Sequence, residues 1–290
     1  MNYTDKISEF KITNTTFNVW EDVFKNASYI TLDTFKTGEI KTKISKVINL
    51  KNNNSKEIID KEIIIPVLCH LIKHEKYGYF LIDTGFDSSF YHEYGGNFKG
   101  ILKKFYFKNR YLQNENEGID NILKENNIKV NGVFLTHMHE HSSGLVSLSN
   151  NIPVVYGKGE KEVNIFPFIY SKFLLSREQQ IIDFDEAIDM PILGKCVDIF
   201  EDGSLWAIHT PGHTIGHISY LINCKEHPIL ITGDACITEE GFKIGTEPGK
   251  NSLDLIESRE SFLKLKKFKD KYNNVVIIYG HESEVFKINK

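Results

Sequence analysis

Little in this sequence of 290 residues points to a membrane, to a disulfide framework or to nucleic acid. Its four cysteines form no Cys-x-x-Cys pair, which favours reduced thiols in the cytoplasm. The apolar run over residues 63–72 is broken by Pro66 and His70, and it is far shorter than the roughly 20 residues that a membrane-spanning helix needs. The 35 basic and 39 acidic side chains give a formal charge of −4, whereas a dedicated nucleic-acid-binding protein carries a basic face. We therefore expect a cytoplasmic protein with neither a nucleic-acid nor a membrane partner.

Strand patterns dominate the rest of the chain, whose composition of 41% apolar and 26% charged residues is ordinary for a globular protein. Alternating β-branched and polar residues predict a hairpin over residues 28–49, and the aromatic, helix-prone stretch 158–194 is interpreted as a helical insertion. Further strands are predicted over residues 63–73, 79–82, 133–136, 152–156, 197–200, 205–209, 217–222, 229–232 and 275–279, and helices over 119–128 and 251–272. This pattern predicts a layered α/β fold with a mixed sheet, in a single domain over residues 1–290 with its core at about 28–286.

Histidines are placed unevenly along the chain. Three of them, His137, His139 and His141, fall within five residues directly after a predicted strand. Three further candidates also stand at or just after the ends of apolar strands, namely His213, Asp234 and His281. Loops at the edge of a sheet are where rigid scaffolds hold functional side chains, and imidazole with carboxylate suits Zn²⁺, Fe or Mn. The sequence therefore predicts a metal site, whereas the isolated His70, His74, His92 and His227 are interpreted as ordinary surface or core residues.

Five motifs together resemble the metallo-β-lactamase superfamily. They are LIDTG (81–85), THMHEHSSG (136–144), TPGHTIGHIS (210–219), TGDA (232–235) and YGHE (279–282), and they occur in the order typical of that family. The resemblance covers about residues 60–285, and residues 198–235 look most like its lactonase-type and general hydrolase branches. It implies a four-layer αββα sandwich with the metal site at one edge, between two sheets.

The resemblance also implies a role for each matching residue. His137, His139 and His213 would bind a first metal ion, and Asp234 would bridge it to a second ion held also by His141 and His281. Asp83 would hold the histidine loop by hydrogen bonds, and His217 and Ser219 would give similar support. The implied metal is zinc, with iron or manganese as alternatives.

The histidine motif is one residue shorter than the family pattern Thr-His-x-His-x-Asp-His-x-x-Gly. In one alignment Glu140 takes the place of the aspartate and His141 keeps its usual role. In the other His141 replaces the aspartate and Ser142 replaces the histidine. We prefer the first, because it keeps the spacing from His141 to Gly144. In both, the first metal position is complete and the second is altered.

The leading functional hypothesis is a hydrolase that uses a metal-bound hydroxide on a small-molecule ester or lactone, with Asp234 orienting the nucleophile and transferring a proton. Lactonases of this superfamily carry a tyrosine three residues after the bridging aspartate, a position taken here by Ile237. Two alternatives stay open: a non-catalytic metal-binding member, and a di-iron redox protein, whose His-x-Glu-x-Asp motif and flavodoxin domain are missing. In the predicted insertion, Phe168, Tyr170 and Phe173 are candidates to face the substrate. The oligomeric state is not predicted.

Overall fold

Two β-sheets make up the centre of the protein. The computed structural model describes residues 6–98, 107, 109–162, 170–174 and 176–282. Within these residues the first sheet contains eight strands: β1 (Lys6–Glu9), β2 (Thr31–Lys43), β3 (Glu62–His74), β4 (Gly78–Ile82), β5 (Tyr111–Leu112), β6 (Val130–Phe134), β7 (Val154–Gly157) and β8 (Glu178–Ile182). The second contains six: β9 (Ile188–Met190), β10 (Gly194–Asp198), β11 (Leu205–His209), β12 (Ile218–Asn223), β13 (Pro228–Ile231) and β14 (Val276–Ile278).

Helices flank the sheets. The α-helices are α1 (Trp20–Asn26), α2 (Ile44–Val47), α3 (Ser89–His92), α4 (Ile119–Glu125), α5 (Glu239–Ile244) and α6 (Leu255–Lys271). Short 3₁₀ helices span Asn53–Ser55, Glu140–Ser147, Glu160–Glu162, Tyr170–Leu174, Phe184–Glu186 and Gly233–Ala235. None of the helices in the described ranges is both long and apolar enough to cross a membrane.

The order of the strands brings many strand ends to the same edges. The first sheet has the strand order β1-β8-β7-β6-β4-β3-β2-β5. The neighbours β1–β8, β8–β7, β7–β6 and β6–β4 pair in parallel, and the neighbours β4–β3, β3–β2 and β2–β5 pair antiparallel. The second runs β14-β13-β12-β11-β10-β9, and only its β13–β14 pair is parallel among the described strands. Strands β11, β13 and β14 run in the same direction, so the loops that follow them lie at the same end of the second sheet. In the same way, the loops after β4, β6 and β7 lie at the same end of the first sheet.

The two sheets pack face to face through an apolar interior. Strand β12 shows why its sequence, ISYLIN, forms a central strand: Ile218, Tyr220 and Ile222 face the first sheet, while Leu221 faces the opposite way, and all are buried. Phe134 of β6 meets Tyr220 with the ring centroids 6.2 Å apart. Both faces of this strand are covered, and the polar Ser219 and Asn223 on the outer face are buried as well.

Helices cover the outer faces of both sheets. On the second sheet, Trp20 of α1 contacts Trp206 and Phe268 edge to face, with centroids 5.2 and 5.4 Å apart. Helix α6 begins at Asp254, whose Oδ1 accepts hydrogen bonds from the first backbone N–H groups of the helix. On the first sheet, α4 buries Ile119 and Leu123. The predicted four-layer αββα sandwich is thereby confirmed.

Two local predictions are wrong. The predicted hairpin over 28–49 is one long strand, β2, which pairs with β3 and changes register at a bulge between Lys36 and Gly38. The helical insertion predicted over 158–194 contains β8 and β9. Its Glu- and Gln-rich stretch favours a helix by intrinsic propensity, but pairing of β8 with β7 and β1 overrides that preference. Residues 163–169 and 175 of this stretch lie outside the described part of the chain.

Candidate metal centre

The histidine loop is fixed where β4 and β6 end side by side. The carboxylate of Asp83, directly after β4, accepts hydrogen bonds from the backbone N–H of Thr136 at 2.8 Å and from its hydroxyl at 2.7 Å. Asp83 is buried and adopts a φ of +55°, a left-handed conformation that costs about 1–2 kcal/mol in a residue with a side chain. The two hydrogen bonds from Thr136 stabilise this conformation of Asp83. They also position His137, the residue after Thr136.

Four buried donors converge beside this loop. The Nε2 atom of His213 lies 3.1 Å from Nδ1 of His139 and 3.2 Å from Oδ2 of Asp234. The Nε2 atom of His137 lies 3.7 Å from the same carboxylate oxygen. One nitrogen or oxygen atom from each of these four residues lies within 4.8 Å of all the others. Ligands held about 2.0–2.2 Å from one Zn²⁺ stand up to about 4.4 Å apart, which is close to this arrangement.

The chemistry of the four donors fits a divalent cation. Burial lowers the pKa of His139 to about 4 and that of His213 to about 3, and burial with neighbouring imidazoles holds the pKa of His137 well below its usual range. These rings are therefore neutral at pH 7, as a metal ligand must be. Burial alone would raise the pKa of Asp234, but His213 and His281 lower it, so that the carboxylate stays charged. Within the described residues, the buried Nε2 atom of His137 has no hydrogen-bond partner.

A second group of donors lies on the other side of Asp234. The Nε2 atom of His281 is 3.3 Å from Oδ1 of Asp234, and the Nε2 atom of His141 is 3.6 Å from Oδ1 of Asp83. Nδ1 of His281 donates to the carbonyl oxygen of Pro66 at 2.6 Å, and the Asp234 carboxylate beside Nε2 raises the pKa of His281. The rings of His141 and His281 are 6.4 Å apart, and neither joins the compact four-residue group.

Of the two residues that could take the place of the family aspartate, Glu140 and His141, neither brings a carboxylate into the four-residue group. Oε1 of Glu140 accepts hydrogen bonds from Arg110 at 2.8 Å and from the hydroxyl of Tyr111 at 3.1 Å. Burial opposes its ionisation, but Arg110 and His139 hold the pKa of Glu140 at about 2. The hydroxyl of Ser142 donates to the carbonyl oxygen of His137 and is fully buried.

His217 and Ser219 form a hydrogen-bonded chain behind Asp234. The backbone N–H of Asp234 donates to Nε2 of His217 at 2.9 Å, so that Nδ1 of His217 carries the proton and donates to the Thr210 hydroxyl at 2.8 Å. Thr210 in turn contacts the Ser219 hydroxyl, which donates to the carbonyl oxygen of Thr232. The chain fixes both the tautomer of His217 and the position of the Asp234 backbone.

His70 lies closer to the site than its interpretation as an ordinary core residue suggests. It lines a small cavity together with Asp83, His141, Asp234 and His281. Its Nδ1 atom lies 2.9 Å from the Thr34 hydroxyl, and burial lowers its pKa to about 3. The sequence offers no signal for this placement, because His70 is a strand residue without a motif around it.

A second pocket leads to the imidazoles of His139, His141 and His281. Its walls combine apolar and polar side chains, which are Ile40, Thr42, Val47, Ile65, Arg110, Ile237 and Asn251. Of the predicted substrate-facing residues, Phe168 lies outside the described residues, as does the side chain of Tyr170. Phe173 is 7% exposed, packs on Phe98 in the outer core of the first sheet and is not one of the residues that line this pocket. That it faces the substrate stays a prediction.

Sequence comparison identifies the family. The profile described as the metallo-beta-lactamase superfamily matches residues 64–281. The chain belongs to this superfamily. An N-acyl homoserine lactonase from Bacillus sp is 28% identical over 228 residues, which cover 76% of this chain and 82% of the relative. The N-acyl homoserine lactonase AttM from Agrobacterium fabrum is 26% identical over 251 residues, 83% of this chain and 90% of the relative.

The fold of the superfamily is also recovered by structural comparison. An N-acyl homoserine lactone hydrolase, solved with its product N-hexanoyl-L-homoserine at the catalytic metal centre, aligns with a TM-score of 0.70 at 22% identity. The alignment covers 91% of this chain and 98% of that structure. The resemblance deduced from five short motifs therefore extends over nearly the whole chain.

Proposed function

We propose that this protein is a metal-dependent hydrolase that opens a small-molecule lactone or cleaves a related ester. The observation that carries the proposal is the convergence of His137, His139, His213 and Asp234, of which His139 and Asp234 line the pocket described above. The curated relatives named above are lactonases, and the chain aligns with most of their length. We further propose that the bound ion is zinc and that the protein works in the cytoplasm, in keeping with four free cysteines.

The residues at the pocket have different roles in the proposed reaction. Zinc, when bound, supplies a Lewis acid and lowers the pKa of a water molecule to about 7. Asp234 is placed to orient the attacking water and to pass its proton to the leaving oxygen, because its carboxylate lies between the two groups of imidazoles. The apolar side chains Ile40, Val47 and Ile65 provide a surface for the hydrocarbon part of a substrate.

Ile237 distinguishes this pocket from the lactonase pattern. It is 3% exposed and lines the pocket three residues after Asp234, where lactonases of the superfamily carry a tyrosine. A phenol at that place would donate to the substrate carbonyl, whereas an isoleucine cannot. Because this donor is missing, we propose a substrate whose carbonyl is more reactive than that of a simple alkyl ester.

Elemental analysis combined with a substrate panel tests the function. Protein purified without a His-tag should contain close to one zinc per chain and should cleave lactones or aryl esters faster than β-lactams or phosphodiesters. Removal of the metal with a chelator should abolish turnover, and added zinc should restore it. Zinc-loaded protein that cleaves nothing on the panel would instead support a non-catalytic member of the superfamily.

A further inference from the structure

We infer that Glu160 is a positioning residue that holds together the two loops carrying His137, His139 and His213. Its Oε2 atom accepts the backbone N–H of Met138 at 2.9 Å, and its Oε1 atom accepts the backbone N–H of Gly216 at 2.9 Å. Glu160 is 0% exposed. The inference rests on the proposed metal centre and deepens it, because Glu160 acts on the ligands without being one.

The two bonds connect the two sheets at the site. Met138 is the residue between two of the proposed ligands, in the loop after β6, so a shift of its peptide moves both imidazoles. Gly216 closes the loop after β11 that carries His213, and Ile218 just beyond it donates to the carbonyl oxygen of Thr136. One carboxylate therefore bridges the histidine loop of the first sheet and the His213 loop of the second.

The loop after β7 lies close against the His213 loop, and this close contact positions Glu160 between the two ligand-bearing loops. Strand β7 ends at Gly157, and a Cβ atom on that residue would lie 2.0 Å from the carbonyl oxygen of Gly216. A Cβ atom on Gly216 would lie 2.5 Å from the carbonyl oxygen of Lys158. With glycine at both positions, the loop after β7 lies directly against the His213 loop, and the first residue of the following 3₁₀ helix points its carboxylate between the loops.

The two backbone donors at Glu160 favour a carboxylate and oppose the effect of burial, which raises the pKa of Glu160 to about 7. Each of its two oxygens faces a backbone N–H, so an acceptor is needed on both sides. A glutamine of the same shape would turn its NH₂ group against one of those N–H groups and leave a buried donor unsatisfied. Zinc–ligand distances tolerate only about ±0.2 Å, so a loop displaced by a lost hydrogen bond no longer presents its imidazoles well.

The test compares E160Q with a matched control. D198N changes another buried carboxylate, which is the last residue of β10 and accepts the backbone N–H of Gly203 and the hydroxyl of Thr15. Asp198 pairs with Trp206 near the start of β11, whereas the His213 loop follows the end of that strand. Zinc affinity is measured by competition with a chromogenic chelator. The visible spectrum of the cobalt-substituted protein reports the geometry of the ligands. Thermal melting of the apo-proteins reports their stability. E160Q should weaken zinc binding roughly 10–100-fold and alter the cobalt bands. D198N should lower the melting temperature with wild-type affinity and bands.

The remaining outcomes are also decisive. E160Q with wild-type zinc affinity and cobalt spectrum would overturn the inference, as would an equal loss of affinity in D198N. If E160Q does not fold, E160D takes its place: it keeps the charge on a side chain too short to reach both donors, and it should show an intermediate affinity. Wild-type protein that binds zinc but cleaves no substrate contradicts only the proposed function, whereas wild-type protein that binds no zinc overturns both.

Discussion

The two halves of the candidate centre differ in how completely they are built. On one side of Asp234, three imidazoles and the carboxylate form a compact group of buried donors. On the other side, His141 and His281 stand apart, and the loop carboxylate of Glu140 is bound to Arg110 and Tyr111. The histidine motif is one residue short only after His139, so we expect the shortening to affect one metal position and to spare the other.

Removing a donor of the compact group should have the largest effect. His213→Ala should remove most of the bound metal and nearly all activity, because it deletes a direct ligand and leaves the ion poorly held. The loss should exceed the roughly 10–100-fold that follows from losing a supporting residue. Elemental analysis and steady-state rates measure it. His92→Ala, an exposed histidine outside the site, is the control and should change neither. Full metal content in the His213 variant would refute the assignment of the compact group.

Asp83→Ala should have the next largest effect, and it should affect both groups of donors around Asp234. Its carboxylate holds Thr136 beside His137 and also lies 3.6 Å from His141, so its loss loosens the loop without removing a proposed ligand of the compact group. We expect metal affinity to fall roughly 10–100-fold. Competition with a chelator measures this change. An Asp83 variant with unaltered affinity would mean that the LIDTG motif is only a structural turn.

Titration of the apo-protein tests the comparison directly. We expect one ion to bind tightly and a second to bind roughly tenfold or more weakly, because one residue of extended chain spans about 3.3 Å and its absence leaves no carboxylate in the second position. Inserting an aspartate between Glu140 and His141 should raise the affinity for the second ion. Two ions that bind the unmodified protein with equal, high affinity would show that the short loop still builds a complete second position.

The smallest expected effect is the change in the melting temperature of the apo-protein with pH. The lowered pKa values of His139, His141 and His213 mean that below about pH 6.5 the unfolded chain takes up protons that the folded chain accepts only near pH 3 to 4. These groups therefore reduce stability as the pH falls from 6.5 to 4. Asp234 raises the pKa of His281, and burial raises the pKa of Asp83 and of Glu160 to about 7, so these three groups contribute in the opposite direction. The buried histidines with a lowered pKa outnumber them, because His70, His137 and His217 belong to that group as well. We therefore expect the melting temperature of apo-protein to be several degrees lower at pH 5 than at pH 7. A higher melting temperature at pH 5 would contradict this balance.

Much of the fold and of the compact group could be predicted because the relevant signals are local. A strand that ends in Thr136-His137-Met138-His139 carries its own periodicity and its own ligand spacing. What the sequence could not predict depends on distant partners. Strand β8 looks helical until β7 and β1 pair with it, and Glu160 looks like a surface residue until Met138 and Gly216 donate to it. His70 is another such residue, since only tertiary packing places it beside the cavity.

The proposed ligands come from both sheets, and this links the stability of the protein to its metal supply. His137 and His139 follow β6 of the first sheet, whereas His213 and Asp234 follow β11 and β13 of the second. A bound ion would therefore tie together two layers that otherwise meet through apolar side chains. Binding of an ion to the folded state alone adds stability that grows with the concentration of free metal. In a cell short of zinc, the protein would then open more often and be degraded faster, so its abundance would fall together with its activity.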